Sequence, residues 1–151
     1  MNVSIFGLGY VGAVTAGCLA GRGHRVVGVD VQEAKVQAFN DGVSPIIEPE
    51  LDALLSQARR IGRLSATTNA MQAVGETDVS IVCVGTPSLD NGRLNLSFVS
   101  KVASQIADAI TAKGSHHLVI FRSTMLPGST RKLVAESFTG LLEGGLVEIC
   151  Y

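Results

Sequence analysis

One stretch near the start constrains the fold more than any other: Val3-Ser4-Ile5-Phe6-Gly7-Leu8-Gly9-Tyr10-Val11-Gly12. A short apolar, β-prone run leads into Gly7-x-Gly9-x-x-Gly12, and an Ala-rich segment follows from Val11 to about Ala20. Strand, tight turn, helix is the order in which such glycines form a dinucleotide-binding fingerprint. Gly7 would permit the turn, Gly9 would let a pyrophosphate approach the main chain, and Gly12 would let the helix press against the sheet. The helix N-terminus would then offer free N–H groups and a positive dipole end to the phosphates. Ala13, Ala16 and Gly17 are read as the small, sheet-facing side of that helix.

Gly21-Arg22-Gly23 supplies a stop, and His24 to Val29 reads as a second strand ending in Asp30. Asp30 lies at the spacing of the acidic residue that accepts hydrogen bonds from the adenosine ribose hydroxyls. The alternative is a plain βαβ unit in which Asp30 only caps the next helix. A carboxylate there repels a 2′-phosphate, and Val31 and Gln32 follow rather than an Arg. NAD is therefore favoured over NADP. Lys35 falls one turn into the next helix, near Asp30; it reads equally as a cofactor contact or a solvated lysine.

At 151 residues the chain has one domain's length, and 46% apolar against 17% charged residues describes a packed domain rather than a disordered one. A net charge of −1 without basic blocks gives no support to a nucleic-acid or membrane-surface partner. Met1-Asn2-Val3-Ser4 does not resemble a secretory leader, and no run is long enough to span a bilayer, so a cytoplasmic setting is expected. Cys18, Cys83 and Cys150 lack metal-ligand or CxxC spacing and are expected to be buried, reduced thiols, with no metal site. His24, His116 and His117 read as surface or strand-start residues. Isolated Glu residues give no paired-carboxylate chemistry.

Further along, periodicity predicts helices over 32–40, 50–61 and 96–113, a short helix from Asn69 packed through Met71 and Val74, and a helix over 130–142. Strands are expected over 64–68, 79–84, 118–121 and 146–151. The near-continuous apolar run Val79 to Val84 suits a parallel strand covered on both faces. The alternation of strands and helices predicts a doubly wound parallel sheet of the Rossmann type, six strands in order 3-2-1-4-5-6. Ligands in such sheets sit beyond the carboxyl ends of the strands. The hydroxyls of Thr86, after the fourth strand, and Thr124, after the fifth, therefore belong near the glycine turn.

Five stretches together resemble the nucleotide-sugar 6-dehydrogenases, which oxidise UDP-glucose, GDP-mannose and related sugars. They are Ile5 to Gly12, Gly28-Val29-Asp30, Pro45-Ile46-Ile47-Glu48-Pro49, Val84-Gly85-Thr86-Pro87 and Arg122-Ser123-Thr124-Met125-Leu126-Pro127-Gly128. The resemblance runs through the whole chain in order. Gly62-Arg63-Leu64-Ser65, Ser88 with Asn91-Gly92, and the form of the Arg122 to Gly128 loop resemble members acting on GDP-mannose, as in alginate-type polysaccharide synthesis, more than UDP-sugar members. The resemblance implies NAD contacts at Tyr10, Val11, Asp30, Lys35, Thr86 and Thr124, beside Gly7, Gly9 and Gly12. It departs at Glu50, where a glycine is usual, and at Ser129, which intervenes before Thr130.

The family's catalytic cysteine, in a Gly-Gly-x-Cys-x-Pro-Lys-Asp-like stretch, has no match here, so no catalytic residue is expected in this chain. The expectation is an NAD-binding domain, residues 1–151, whose nucleotide-sugar site lies mostly elsewhere and whose full-length enzyme is a homo-oligomer. A stand-alone NAD-binding or sensing module is the competing reading. A 3-hydroxyacid-type dehydrogenase would share the fold, but it does not predict the Thr86 and Thr124 loops together.

Overall fold

The computed structural model describes residues 1–151. Strands β1 (Asn2–Phe6), β2 (Arg25–Val29), β3 (Leu64–Thr67), β4 (Val79–Val82), β5 (His117–Phe121) and β6 (Val147–Cys150) form one sheet. Its order is β3-β2-β1-β4-β5-β6, and every pairing is parallel. Helices α1 (Tyr10–Gly21), α2 (Glu33–Asn40), α3 (Leu51–Arg60), α4 (Ala70–Gly75), α5 (Ser97–Lys113) and α6 (Ser129–Glu143) complete the doubly wound arrangement. No helix is long and apolar enough to cross a membrane.

Alternation along the strands splits the core in two. Ile5, Val26 and Leu64 join Ala13, Ala16 and Ala20 of α1 and Leu51, Leu55 and Ala58 of α3 on one side. Phe6, Val27, Val82 and Val119 pack with α4, α5 and α6 on the other. Adjacent residues such as Ile5 and Phe6 point to opposite faces because the strand period is two. The glycine turn leaves the carboxyl end of β1, and the loop that begins at Cys83 leaves that of β4.

Several expectations change in detail. Gly17 does not face the sheet: a Cβ there would lie 2.8 Å from Leu51 Cδ1, so Gly17 makes room for α3. Met71 is exposed, and the buried stripe of α4 is Ala70, Ala73 and Val74, the i, i+3, i+4 positions. The fourth strand ends at Val82 rather than Val84; Cys83 still donates its N–H to Phe6 O at 2.8 Å before the chain leaves the ladder. Cys18 and Cys150 are exposed and Cys83 is half-buried, so the thiols are not uniformly interior. No cluster of His, Cys, Asp and Glu side chains comes together that could hold a metal.

Glu50 is the one non-glycine residue with positive φ, at 67°, and it forms the N-cap of α3. An L-residue in this region costs about 1–2 kcal/mol, because Cβ crowds the carbonyl oxygen. Glycine removes that strain but adds disorder to the unfolded chain. Glu50→Gly should therefore raise stability by a net ~0.5–1 kcal/mol. Denaturant melts of the two proteins check this; a lower midpoint for the variant would contradict it.

His117 does begin a strand, but it is fully buried rather than on the surface. Its Nε2 lies 2.8 Å from Ser80 Oγ, which in turn lies 2.7 Å from Ser4 Oγ, while Lys113 Nζ lies 3.4 Å from Nδ1. A lysine donating to Nδ1 leaves the ring proton on Nε2, facing Ser80. Burial, reinforced by the Lys113 charge and opposed by Asp78, pushes the His117 pKa down to about 4. Between that value and the ordinary 6.5, the unfolded chain binds a proton that the folded chain does not. Stability is thus complete above pH 6.5 and falls as pH drops toward 4, by about 3 kcal/mol from this group. Thermal melts at pH 7 and 4.5 should show a smaller acid loss for His117→Gln than for the wild type. Equal losses would rule His117 out as the cause.

Candidate functional site

At the carboxyl end of β1 the chain turns sharply. Gly7 has φ of 96° and donates its N–H to Val29 O at 2.8 Å. A Cβ on Gly12 would lie 1.8 Å from the Gly7 carbonyl oxygen, so the first turn of α1 rests directly on the glycine turn. Gly9 differs: nothing lies within 4 Å of where its Cβ would be. That open face belongs to the N-cap of α1, which carries no capping side chain and no acidic residue in its first turn. The N–H groups of Gly9, Tyr10, Val11 and Gly12 find no acceptor within the chain. Their partial positive charges are of the kind that suits an anion.

Asp30 follows β2 and is 9% exposed. Its Oδ2 accepts the Leu8 N–H of the glycine turn at 2.8 Å, and its Oδ1 accepts the Gln32 N–H at the start of α2 at 3.0 Å. Lys35 Nζ stands 3.6 Å from Oδ2. The two readings of Asp30 are compatible: the carboxylate caps the approach to α2 and also borders the cleft. Each oxygen keeps a lone pair for a diol. Lys35 is an ion-pair partner, not a freely solvated lysine.

The loops after β4 and β5 are stitched together. Thr86 Oγ1 donates to Thr124 O at 2.7 Å, and Ser123 Oγ donates to Val84 O at 2.6 Å. On the outer side of α1, Arg122 donates to the Thr15 hydroxyl, and Tyr10 OH donates to Glu48 Oε2 at 2.9 Å. That bond, with the Glu48 charge, holds the Tyr10 phenol above its ordinary pKa.

A cleft of about 490 Å³ opens between these elements. Gly7, Gly9, Asp30 and Lys35 line it, with Gly85 on the β4 side. Gly12 lies buried beneath the turn, and Tyr10 and Val11 border a separate trough of about 300 Å³ with Arg122. Thr86 and Thr124 stand at the loop crossing beside the cleft rather than in its wall. Cys83 does line the wall, where burial raises its thiol pKa against the opposing Arg122 charge. It is held as a neutral thiol, a poor nucleophile. Sequence reasoning missed Val31 and, on α5, Phe98, Lys101, Val102 and Gln105. The spacing i, i+3, i+4, i+7 of the α5 residues was the available signal.

Against known proteins, residues 1–147 match the family described as "UDP-glucose/GDP-mannose dehydrogenase family, NAD binding domain". The chain belongs to this family. GDP-mannose 6-dehydrogenase of Pseudomonas aeruginosa is 54% identical over 134 residues, which is 89% of this chain and 31% of that protein. The 1.55 Å crystal structure of a ternary complex of GDP-mannose dehydrogenase from P. aeruginosa has a TM-score of 0.89 and 48% identity, covering 99% of this chain and 35% of that one. A UDP-glucose dehydrogenase from the archaeon Pyrobaculum islandicum has a TM-score of 0.87 and 41% identity, covering 97% of this chain and 34% of that one. The chain spans about a third of the length of the curated relatives it matches.

The cofactor of this dehydrogenase domain is NAD. The local chemistry fits it, with an uncapped helix N-terminus for a diphosphate, steric room at Gly9 and an acidic acceptor at the end of β2.

Proposed function

We propose that this chain is the cofactor-binding part of an enzyme that oxidises the C6 alcohol of a nucleotide sugar to a carboxylate, with GDP-mannose as substrate and GDP-mannuronate as product. The higher identity to GDP-mannose 6-dehydrogenases than to the UDP-glucose enzyme supports the choice of sugar. The reaction is a four-electron oxidation: the alcohol and one water give up two hydrides to two NAD molecules and release protons. NAD supplies the hydride acceptor when bound.

In this reading the N–H groups of Gly9 to Gly12 hold the pyrophosphate, with Tyr10 and Val11 beside it. Asp30 accepts the adenosine ribose hydroxyls, and Lys35 steadies that carboxylate. Thr86 and Thr124 border the nicotinamide end, their loops fixed to one another by the Thr86 hydrogen bond. The observation that carries the reading is the Asp30 carboxylate held against the glycine turn through the Leu8 N–H. Covalent chemistry on the sugar falls to a cysteine outside these residues. The full-length enzyme is a cytoplasmic homo-oligomer serving alginate-type polysaccharide synthesis.

The full-length enzyme should form NADH faster from GDP-mannose than from UDP-glucose, judged by kcat/KM, and this chain alone should form none. Faster turnover of UDP-glucose would reassign the sugar; turnover by this chain alone would refute the division of labour.

A further inference from the structure

We infer that the Tyr10 hydroxyl is a latch: it holds the Glu48 carboxylate on the outer side of α1 and so keeps the first N–H groups of that helix open to a diphosphate. The inference rests on the cofactor reading above. The stretch Pro45 to Pro49 has no residue in the wall of the cleft, yet it reaches the start of α1 through one bond. Tyr10 OH donates to Glu48 Oε2 at 2.9 Å, across 38 residues of sequence. Neither side chain makes another hydrogen bond, and Glu48 pairs with no cation. Where this carboxylate points is therefore decided by the phenol alone.

The loop that carries Glu48 cannot easily withdraw. The Ser44 N–H donates to Asp52 Oδ1 at 2.7 Å, the Ser44 hydroxyl donates to Ile46 O at 2.6 Å, and the Leu51 N–H donates to Glu48 O at 3.3 Å. Ile46 packs on the core shared by α1 and α3, and Pro45 and Pro49 fix φ on either side of Glu48. The carboxylate thus stays one tyrosine side chain from the start of α1. A free carboxylate in that place is drawn to open helix N–H groups, where it competes with any other anion. Bound to the phenol it is kept from them, and α1 has no side-chain cap. The same bond holds the phenol above its ordinary pKa, so the hydroxyl keeps the proton it donates.

Calorimetric titration with NAD, beside thermal melts without it, tests the positioning role. Tyr10→Phe keeps the ring and frees the carboxylate, and it should weaken NAD about fivefold, the order of one net hydrogen bond. Its melting temperature should be no lower than that of the wild type, since the freed carboxylate now caps α1. Adding Glu48→Gln to Tyr10→Phe removes the competing charge and should restore the wild-type NAD affinity. Glu48→Gln alone should bind NAD at least as tightly as the wild type, because its amide oxygen still accepts from the phenol. Unchanged NAD affinity in Tyr10→Phe, or a loss that Glu48→Gln does not restore, would overturn the inference and leave the cofactor reading standing. A lower melting temperature in Tyr10→Phe, the mark of lost packing, would overturn it as well. A folded wild type that does not bind NAD would overturn both.

Discussion

Gly12→Ala should abolish measurable NAD binding and destabilise the fold at the same time. The added methyl would sit 1.8 Å from the Gly7 carbonyl oxygen, a backbone atom that cannot swing aside. Either α1 lifts away from the turn or the turn distorts. Overpacking of this kind costs about 3 kcal/mol, at the upper end for a single methyl, because no side chain can absorb it. Lifting α1 also re-aims the four free N–H groups at its start. Losing two charge-assisted hydrogen bonds to a diphosphate lowers affinity by about a hundredfold or more.

Gly9→Ala separates these two effects. A Cβ there meets nothing within 4 Å, and φ of −80° with ψ of −166° suits any residue. Its melting temperature should match the wild type while its NAD affinity falls by roughly tenfold, if the open face is where the pyrophosphate sits. Equal NAD affinity in Gly9→Ala would move the phosphates away from this turn.

Asp30→Ala comes second in expected effect. It strands the Leu8 and Gln32 N–H groups that the carboxylate now satisfies. A buried donor left without a partner costs about 1–3 kcal/mol, so stability falls along with binding. It also removes the acceptor proposed for the ribose diol and should weaken NAD by about 10–100-fold. Asp30→Asn is the sharper probe, since its one remaining oxygen can still accept a backbone N–H. Its charge is gone, so the barrier against a 2′-phosphate falls and Lys35 loses its ion-pair partner. Calorimetry should show the NAD-to-NADP preference shrinking about tenfold or more. An undiminished preference would mean that another group excludes NADP.

Much of the fold was legible because each strand and helix declares its own period and parallel crossovers allow few arrangements. Val26, Val27 and Leu64, for instance, needed no tertiary information to be placed in strands. The misreadings came where a residue's environment is set by distant chain. The partner that draws His117 inside, Ser80, lies 37 residues away. Helical periodicity marks an inner side for Gly17 without saying which neighbour fills it; Leu51 of α3 does. Cys83 and Val84 extend the apolar run of β4, yet they leave the ladder to form the cleft wall.

The site divides in the same way. Gly7, Gly9, Gly12 and Asp30 carry a local signature, because a turn, a helix start and a strand end are fixed by neighbours in sequence. Phe98 and Gln105 carry only a helical spacing, which an amphipathic reading of α5 assigns to the face turned to water. Only the tertiary fold, in which α5 and the end of β2 line one cleft, gives that face something other than water.

The central claim is that this domain binds NAD through a charged acceptor that rejects NADP. Calorimetric titration of the wild-type chain with NAD and NADP, under identical conditions, tests it most directly. NAD should bind saturably at 1:1 and NADP more weakly by about a hundredfold, the order expected when a doubly charged phosphate meets a carboxylate. Equal affinities, or no heat with NAD while the chain is folded, would contradict it.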